Sequence, residues 1–139
     1  TRPEMLARCR PFQTYVSLAA PDRETYQALC RPVEDSWELV RESLQLLGSR
    51  RSAIRITLVK GWNDFNAAAY ARMIQDSGAG FVEVKGYMFL GYSRKRLERG
   101  NMPDHSDVQR FAGEIAACAD YQVLDENPGS RVVCLERMP

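Results

Sequence analysis

The sequence predicts an α/β fold in which parallel strands alternate with helices, and three observations predict it. Runs rich in β-branched residues recur at 14–18, 53–59 and 81–85; each is followed by apolar residues at helical spacing; and Pro, Gly and Asp breakers separate the two patterns. Strand, helix, strand is the signature of βαβ units, whose crossovers build a parallel sheet. The chain has 139 residues, which suits one domain and lets about two-thirds of the unfolded surface be buried.

The first strand is Thr14-Tyr15-Val16-Ser17-Leu18, closed by Pro21-Asp22. A short helix from Glu24 to Cys30 stops before Pro32, and Asp35 with Glu38 three residues on predicts a capping box for a longer helix. Trp37, Val40, Leu44 and Leu47 form its apolar stripe, and Gly48 stands at the expected C-terminal cap. The second strand, Ala53 to Val59, runs into Lys60-Gly61-Trp62-Asn63. A helix from about Asp64 to Ser77 follows, with Tyr70, Met73 and Ile74 on one face and Gly78 and Gly80 ending it. The third strand is Phe81 to Lys85, after which an irregular stretch extends through Met102-Pro103. A helix starting near Ser106 places Val108, Phe111, Ala112 and Ile115 at helical spacing. Tyr121 to Glu126 and Arg131 to Glu136, joined by Asn127-Pro128-Gly129-Ser130, read as a hairpin.

Hydrophobic residues at 45% and charged residues at 27% exclude a disordered chain, and a net charge of +1 means that any nucleic-acid contact must rest on local clustering. Cys9, Cys30, Cys118 and Cys134 are too dispersed for zinc or iron–sulfur spacing, so no metal ligands are assigned and no cluster is expected on this chain. With neither a transmembrane-length apolar run nor a secretory signal, the expected compartment is the reducing cytoplasm. The chain opens on Thr1, which reads as a piece of something longer.

Alternation along the strands sets Val16, Leu18, Ile54, Ile56, Leu58, Val82 and Val84 against the helices. Tyr15, Ser17, Arg55, Thr57, Glu83, Lys85 and Tyr87 fall on the other side. Parallel strands are ordinarily covered on both faces, so a polar face suits a barrel interior that holds a polar ligand; the alternative is an open sheet with one wet face, or an Arg55–Glu83 pair of purely structural meaning. Lys60 and Lys85 sit at strand ends, where a lysine can anchor a carboxylate or attack a carbonyl. His105, the only histidine, precedes a helix and reads as a capping or surface residue. Arg94, Lys95, Arg96 and Arg99, opposed only by Glu98, form a basic segment suited to phosphates, with Arg131 of the hairpin able to join it.

Three stretches carry a family resemblance: residues 15–26 (YVSLAAPDRETY), 55–61 (RITLVKG) and 81–89 (FVEVKGYMF). Gly91-Tyr92-Ser93-Arg94, Asn101-Met102-Pro103, Asp125-Glu126 and Ser130-Arg131-Val132-Val133 extend it. Together they resemble the tRNA 4-demethylwyosine synthases of wybutosine biosynthesis. The resemblance implies a radical S-adenosylmethionine lyase with a partial TIM-type barrel and 4Fe-4S clusters, condensing N1-methylguanosine of phenylalanine tRNA with pyruvate.

The family's CxxxCxxC motif does not occur in this sequence. Residues 1–139 are therefore expected to be the later βα units of that barrel plus a C-terminal hairpin extension, inactive without the cluster-binding part and exposing a sheet edge along Val16. In the intact enzyme Ser17, Arg55 and Glu83 are expected to contact S-adenosylmethionine, Lys85 and, as the other candidate, Lys60 to meet pyruvate, and Arg94, Lys95, Arg96, Arg99 and Arg131 to bind tRNA. Two rival readings are an aldolase-like barrel fragment using a Schiff-base lysine, and a non-catalytic α/β RNA-binding module.

Overall fold

The computed structural model describes residues 2–9 and 11–139. Strands β1 (Thr14–Ser17), β2 (Ser52–Leu58) and β3 (Phe81–Gly86) run parallel. The C-terminal strands β4 (Tyr121–Asn127) and β5 (Val132–Arg137) form an antiparallel hairpin that joins them, giving the sheet order β1-β2-β3-β5-β4. The helices are α1 (Pro3–Arg8), α2 (Arg23–Cys30), α3 (Trp37–Gln45), α4 (Ala67–Ser77) and α5 (His105–Ala117). Two short 3₁₀ turns, Gly91–Lys95 and Arg99–Asn101, lie in the long connection before α5. The molecule is thus a mixed α/β partial fold with β1 at one edge of its sheet, as expected for Val16.

Helices cover one face only. Val16, Leu18, Ile54, Ile56, Leu58, Val82 and Val84 meet the stripes of α3, α4 and α5 in one apolar core, which Val133 and Leu135 extend under the hairpin. Tyr70 and Phe111 join α4 to α5 edge-on, with centroids 5.6 Å apart and planes at 89°, a geometry contributing about 0.5–1.5 kcal/mol beyond the buried area. The Tyr70 hydroxyl, deep in this core, donates to the Asn63 carbonyl, and burial pushes its pKa far up.

Several local expectations are corrected. α1 was not foreseen, its six residues being too few to show a period; Leu6 packs on the core and Arg50 donates to the Leu6 carbonyl. The capping box at Asp35 and Glu38 does not form: Asp35 accepts from the Trp37 amide while Glu38 turns to Arg23. Gly48 is not the cap of α3, which ends through Leu46. It lies instead where its backbone passes Gly78, and a side chain at Gly48 would come within 3.2 Å of the Ser77 carbonyl oxygen. α4 begins at Ala67 rather than Asp64, because Asp64 accepts from the Gly61 amide and closes a turn. Tyr87, placed by alternation on the polar side, is buried, since the strand has ended at Gly86 and its hydroxyl pairs with Ser93.

Two devices fix the loops at the strand C-terminal ends. Asn63 is fully buried: its side-chain oxygen accepts from Val59, and its amide nitrogen donates to the carbonyls of Ala19 and Thr57, each at 2.9 Å. The loop after β2 is then clipped to the long connection, for the Lys60 amide donates to the Asn101 carbonyl and the Asn101 side chain donates back to the Lys60 carbonyl.

Candidate functional site

The face of the sheet left bare by the helices carries the polar groups. Register places Ser17 beside Arg55, Arg55 beside Glu83 and Glu83 beside Cys134, so one row crosses four strands. Arg55 grips a single carboxylate oxygen of Glu83 through Nε at 2.9 Å and Nη2 at 2.7 Å, while the Tyr15 hydroxyl donates to the other oxygen at 3.0 Å. The guanidinium carbon also sits 4.9 Å from the Tyr15 ring centroid. Donation to Glu83 holds the Tyr15 pKa above its ordinary value, and burial beside Glu83 pushes the Cys134 thiol up.

The Arg55–Glu83 pair weighed as a structural alternative therefore exists, but 44% of the Arg55 side chain stays exposed, and ion pairs at that exposure contribute only about 0–1 kcal/mol. Glu83 is committed on both oxygens. Arg55 Nη1 and the Ser17 hydroxyl have no partner among the described residues, and both can serve a bound ligand.

The two strand-end lysines differ. Lys60 lies 2.8 Å from Asp107 at the start of α5, and this hydrogen bond raises its pKa, favouring the ammonium over a nucleophilic amine. Lys85 is exposed on the bare face beside Thr57 and makes no ion pair among the described residues.

The five basic residues divide as well. Arg96 points inward and donates to the carbonyls of Ala28 and Leu29, holding the end of α2. Arg131 donates to the Pro103 carbonyl, so it braces the hairpin against the long connection. Both departures have one cause: half-buried guanidinium groups beside unpaired carbonyls complete the backbone hydrogen bonding. Arg94 and Arg99 remain exposed, each 5.9 Å from the centroid of the Phe89 ring, and Lys95 lies 4.7 Å from that of Tyr92. His105 hydrogen-bonds Glu126 at 3.1 Å. Sequence reasoning missed the roles of Tyr15, Asn101 and Asp107; of these only Tyr15 carried a signal, by sharing a strand face with Ser17.

The family described as Wyosine base formation matches residues 76–137. The S-adenosyl-L-methionine-dependent tRNA 4-demethylwyosine synthase of Pyrococcus abyssi is 43% identical over 131 residues, which are 91% of this chain and 38% of that protein. The chain matches a portion of the tRNA 4-demethylwyosine synthases. The Oryza sativa synthase is 34% identical and matches 98% of the chain, though only 22% of its own length. A solved structure described as TYW1 with a lysine–pyruvate adduct bound superposes with a TM-score of 0.88 at 27% identity, covering 97% of this chain and 44% of that one. An archaeal TYW1 crystal structure gives a TM-score of 0.79 at 24% identity and supports the fold. The chain thus spans less than half the length of these synthases. No helix of the described residues is long and apolar enough to cross a membrane.

Proposed function

We propose that the chain supplies the later strands and the substrate-facing loops of a radical S-adenosylmethionine lyase that condenses N1-methylguanosine of phenylalanine tRNA with pyruvate to form 4-demethylwyosine. Residues 1–139 act as one part of the barrel domain, in the cytoplasm, and the chain alone is inactive. The observation that carries this reading is Lys85: an exposed amine without an ion pair among the described residues, at the end of a strand on the bare polar face, in a fold that matches a structure holding a lysine–pyruvate adduct.

Lys85 in its neutral form attacks the pyruvate ketone carbon. The new carbon–nitrogen bond forms as the carbonyl π electrons move to oxygen; that oxygen takes one proton from the amine nitrogen and a second from solvent and leaves as water, its departure drawing the nitrogen lone pair into the carbon–nitrogen double bond of an iminium. Lys60 is a poor candidate for this step, because Asp107 holds its charge in place. Ser17 and the free Nη1 of Arg55 fit the hydroxyl and carboxylate groups of S-adenosylmethionine, whereas Glu83 serves to orient Arg55. Bound there, the cofactor would supply the carbon radical for the condensation. The four cysteines are free, and the described residues group no three His, Cys, Asp or Glu side chains for a metal, so they do not fit a 4Fe-4S cluster. Arg94, Lys95 and Arg99 face the RNA phosphates, and Arg96 and Arg131 hold their loop in shape.

Borohydride reduction in the presence of pyruvate, applied to the intact protein that carries this chain, tests the reading. The expected result is a reduced pyruvyl adduct on the peptide containing Lys85, lost in Lys85→Arg and retained in Lys60→Arg. An adduct on Lys60, or none on either lysine, overturns it.

A further inference from the structure

The connection after β3 exposes more apolar surface than a solvated loop needs. Met88 is 43% exposed, Leu90 63% and Tyr92 74%, while the neighbouring cations Arg94, Lys95 and Arg99 are exposed as well. Phosphate binding accounts for the cations but leaves the apolar groups unexplained.

Their arrangement is specific. Tyr92 lies in a 3₁₀ turn of which Ser93 anchors the inner side, its hydroxyl pairing with Tyr87 and bonding the Leu90 carbonyl. The Tyr92 ring is therefore carried on a braced segment. Lys95 lies against it at 4.7 Å, and the ring's large exposure leaves further π surface open. Three residues earlier in the chain, the Phe89 ring lies within reach of both Arg94 and Arg99. Aromatic rings interleaved with cations match the chemistry of single-stranded nucleic acid, whose bases stack on the rings while its phosphates follow the charges. Paired RNA offers no such match, because its base faces are already covered within the helix and only backbone and groove edges are presented.

From this we infer that residues 88–99 form a stacking platform for unpaired nucleotides, with Tyr92 receiving a base and Arg94, Lys95 and Arg99 receiving the flanking phosphates. The inference rests on the tRNA-binding reading above and adds to it which structural class of RNA the segment holds.

Two probes of equal charge separate the two statements: a single-stranded oligoribonucleotide and a blunt, fully paired RNA, titrated by fluorescence anisotropy against the intact protein. Tyr92→Ala is expected to weaken the single-stranded probe roughly tenfold, the scale of one lost base stack, while leaving its salt slope and the paired probe unchanged. Tyr92→Phe is expected to restore binding. The Arg94→Ala/Lys95→Ala/Arg99→Ala variant is expected to lower the salt slope of the single-stranded probe by about two units if all three cations contact phosphates. If Tyr92→Ala weakens neither probe, or both equally, while the triple variant still weakens binding, the stacking inference falls and phosphate binding stands. If the triple variant also changes nothing, the RNA reading of this segment falls with it, and the exposed apolar groups belong to a protein contact. Circular dichroism confirms that each variant is folded.

Discussion

On the helix-covered face of the sheet Ile54, Ile56, Val82 and Val84 have no solvent exposure, while their immediate neighbours Arg55, Thr57, Glu83 and Lys85 all reach solvent on the bare face. The same strands therefore serve two ends. Burial on one side stabilises the fold with groups that do no chemistry, and the other side presents groups that add little to stability but can act on a ligand. The difference teaches that the polar row is affordable only because the apolar row beneath it is complete.

Damage to the covered face should show the largest effect. Phe111→Ala removes a fully buried ring together with its edge contact to Tyr70, and the expected loss is about 3–5 kcal/mol, read by chemical denaturation; a loss below about 1 kcal/mol would mean that α5 is not part of the core. The bare face should respond in the opposite sense. Arg55→Ala should cost no more than about 1 kcal/mol of stability, yet weaken S-adenosylmethionine binding to the intact protein about tenfold, the scale of one hydrogen bond between charged groups. Unchanged affinity by calorimetry would leave the Arg55–Glu83 pair with structural meaning alone.

The smallest effect concerns pH. The Tyr15 pKa is raised above its ordinary value, chiefly by the hydrogen bond to Glu83, so the folded state favours the protonated phenol. Its contribution is complete below the unfolded pKa and is lost as pH rises through the raised value. Stability should accordingly fall only slightly in that alkaline window, because Tyr15 is 48% exposed and solvent screens the pair, and Tyr15→Phe should abolish that component. An identical alkaline profile for the variant, followed by denaturation at each pH, would show that the Tyr15 hydroxyl contributes nothing.

Much of this contrast was legible in the sequence. Alternation along residues 53–59 and 81–85 separated the covered residues from Arg55 and Glu83, and the turn residues 127–130 marked the hairpin that extends the sheet. What alternation could not supply were the partners chosen across long chain separations. Nothing near Lys60 in sequence announces Asp107, 47 residues on. Nor does the run Arg94 to Arg99 reveal that Arg96 alone turns inward to Leu29. Glu38 was misread for the same reason: a local capping pattern lost to Arg23, which the packing of α2 brought alongside.

The buried Asn63 side chain carries a chemical vulnerability of its own. Its nitrogen gives both protons to the carbonyls of Ala19 and Thr57, and its oxygen receives the Val59 amide. Spontaneous hydrolysis of that amide to a carboxyl would exchange two donors for an oxygen facing two carbonyl oxygens, in a spot that water does not reach. The adjoining ends of β1 and β2 would then repel the very group that joins them. A single ageing event at Asn63 would thus register as a loosening of the loops that carry Lys60 and Asn101.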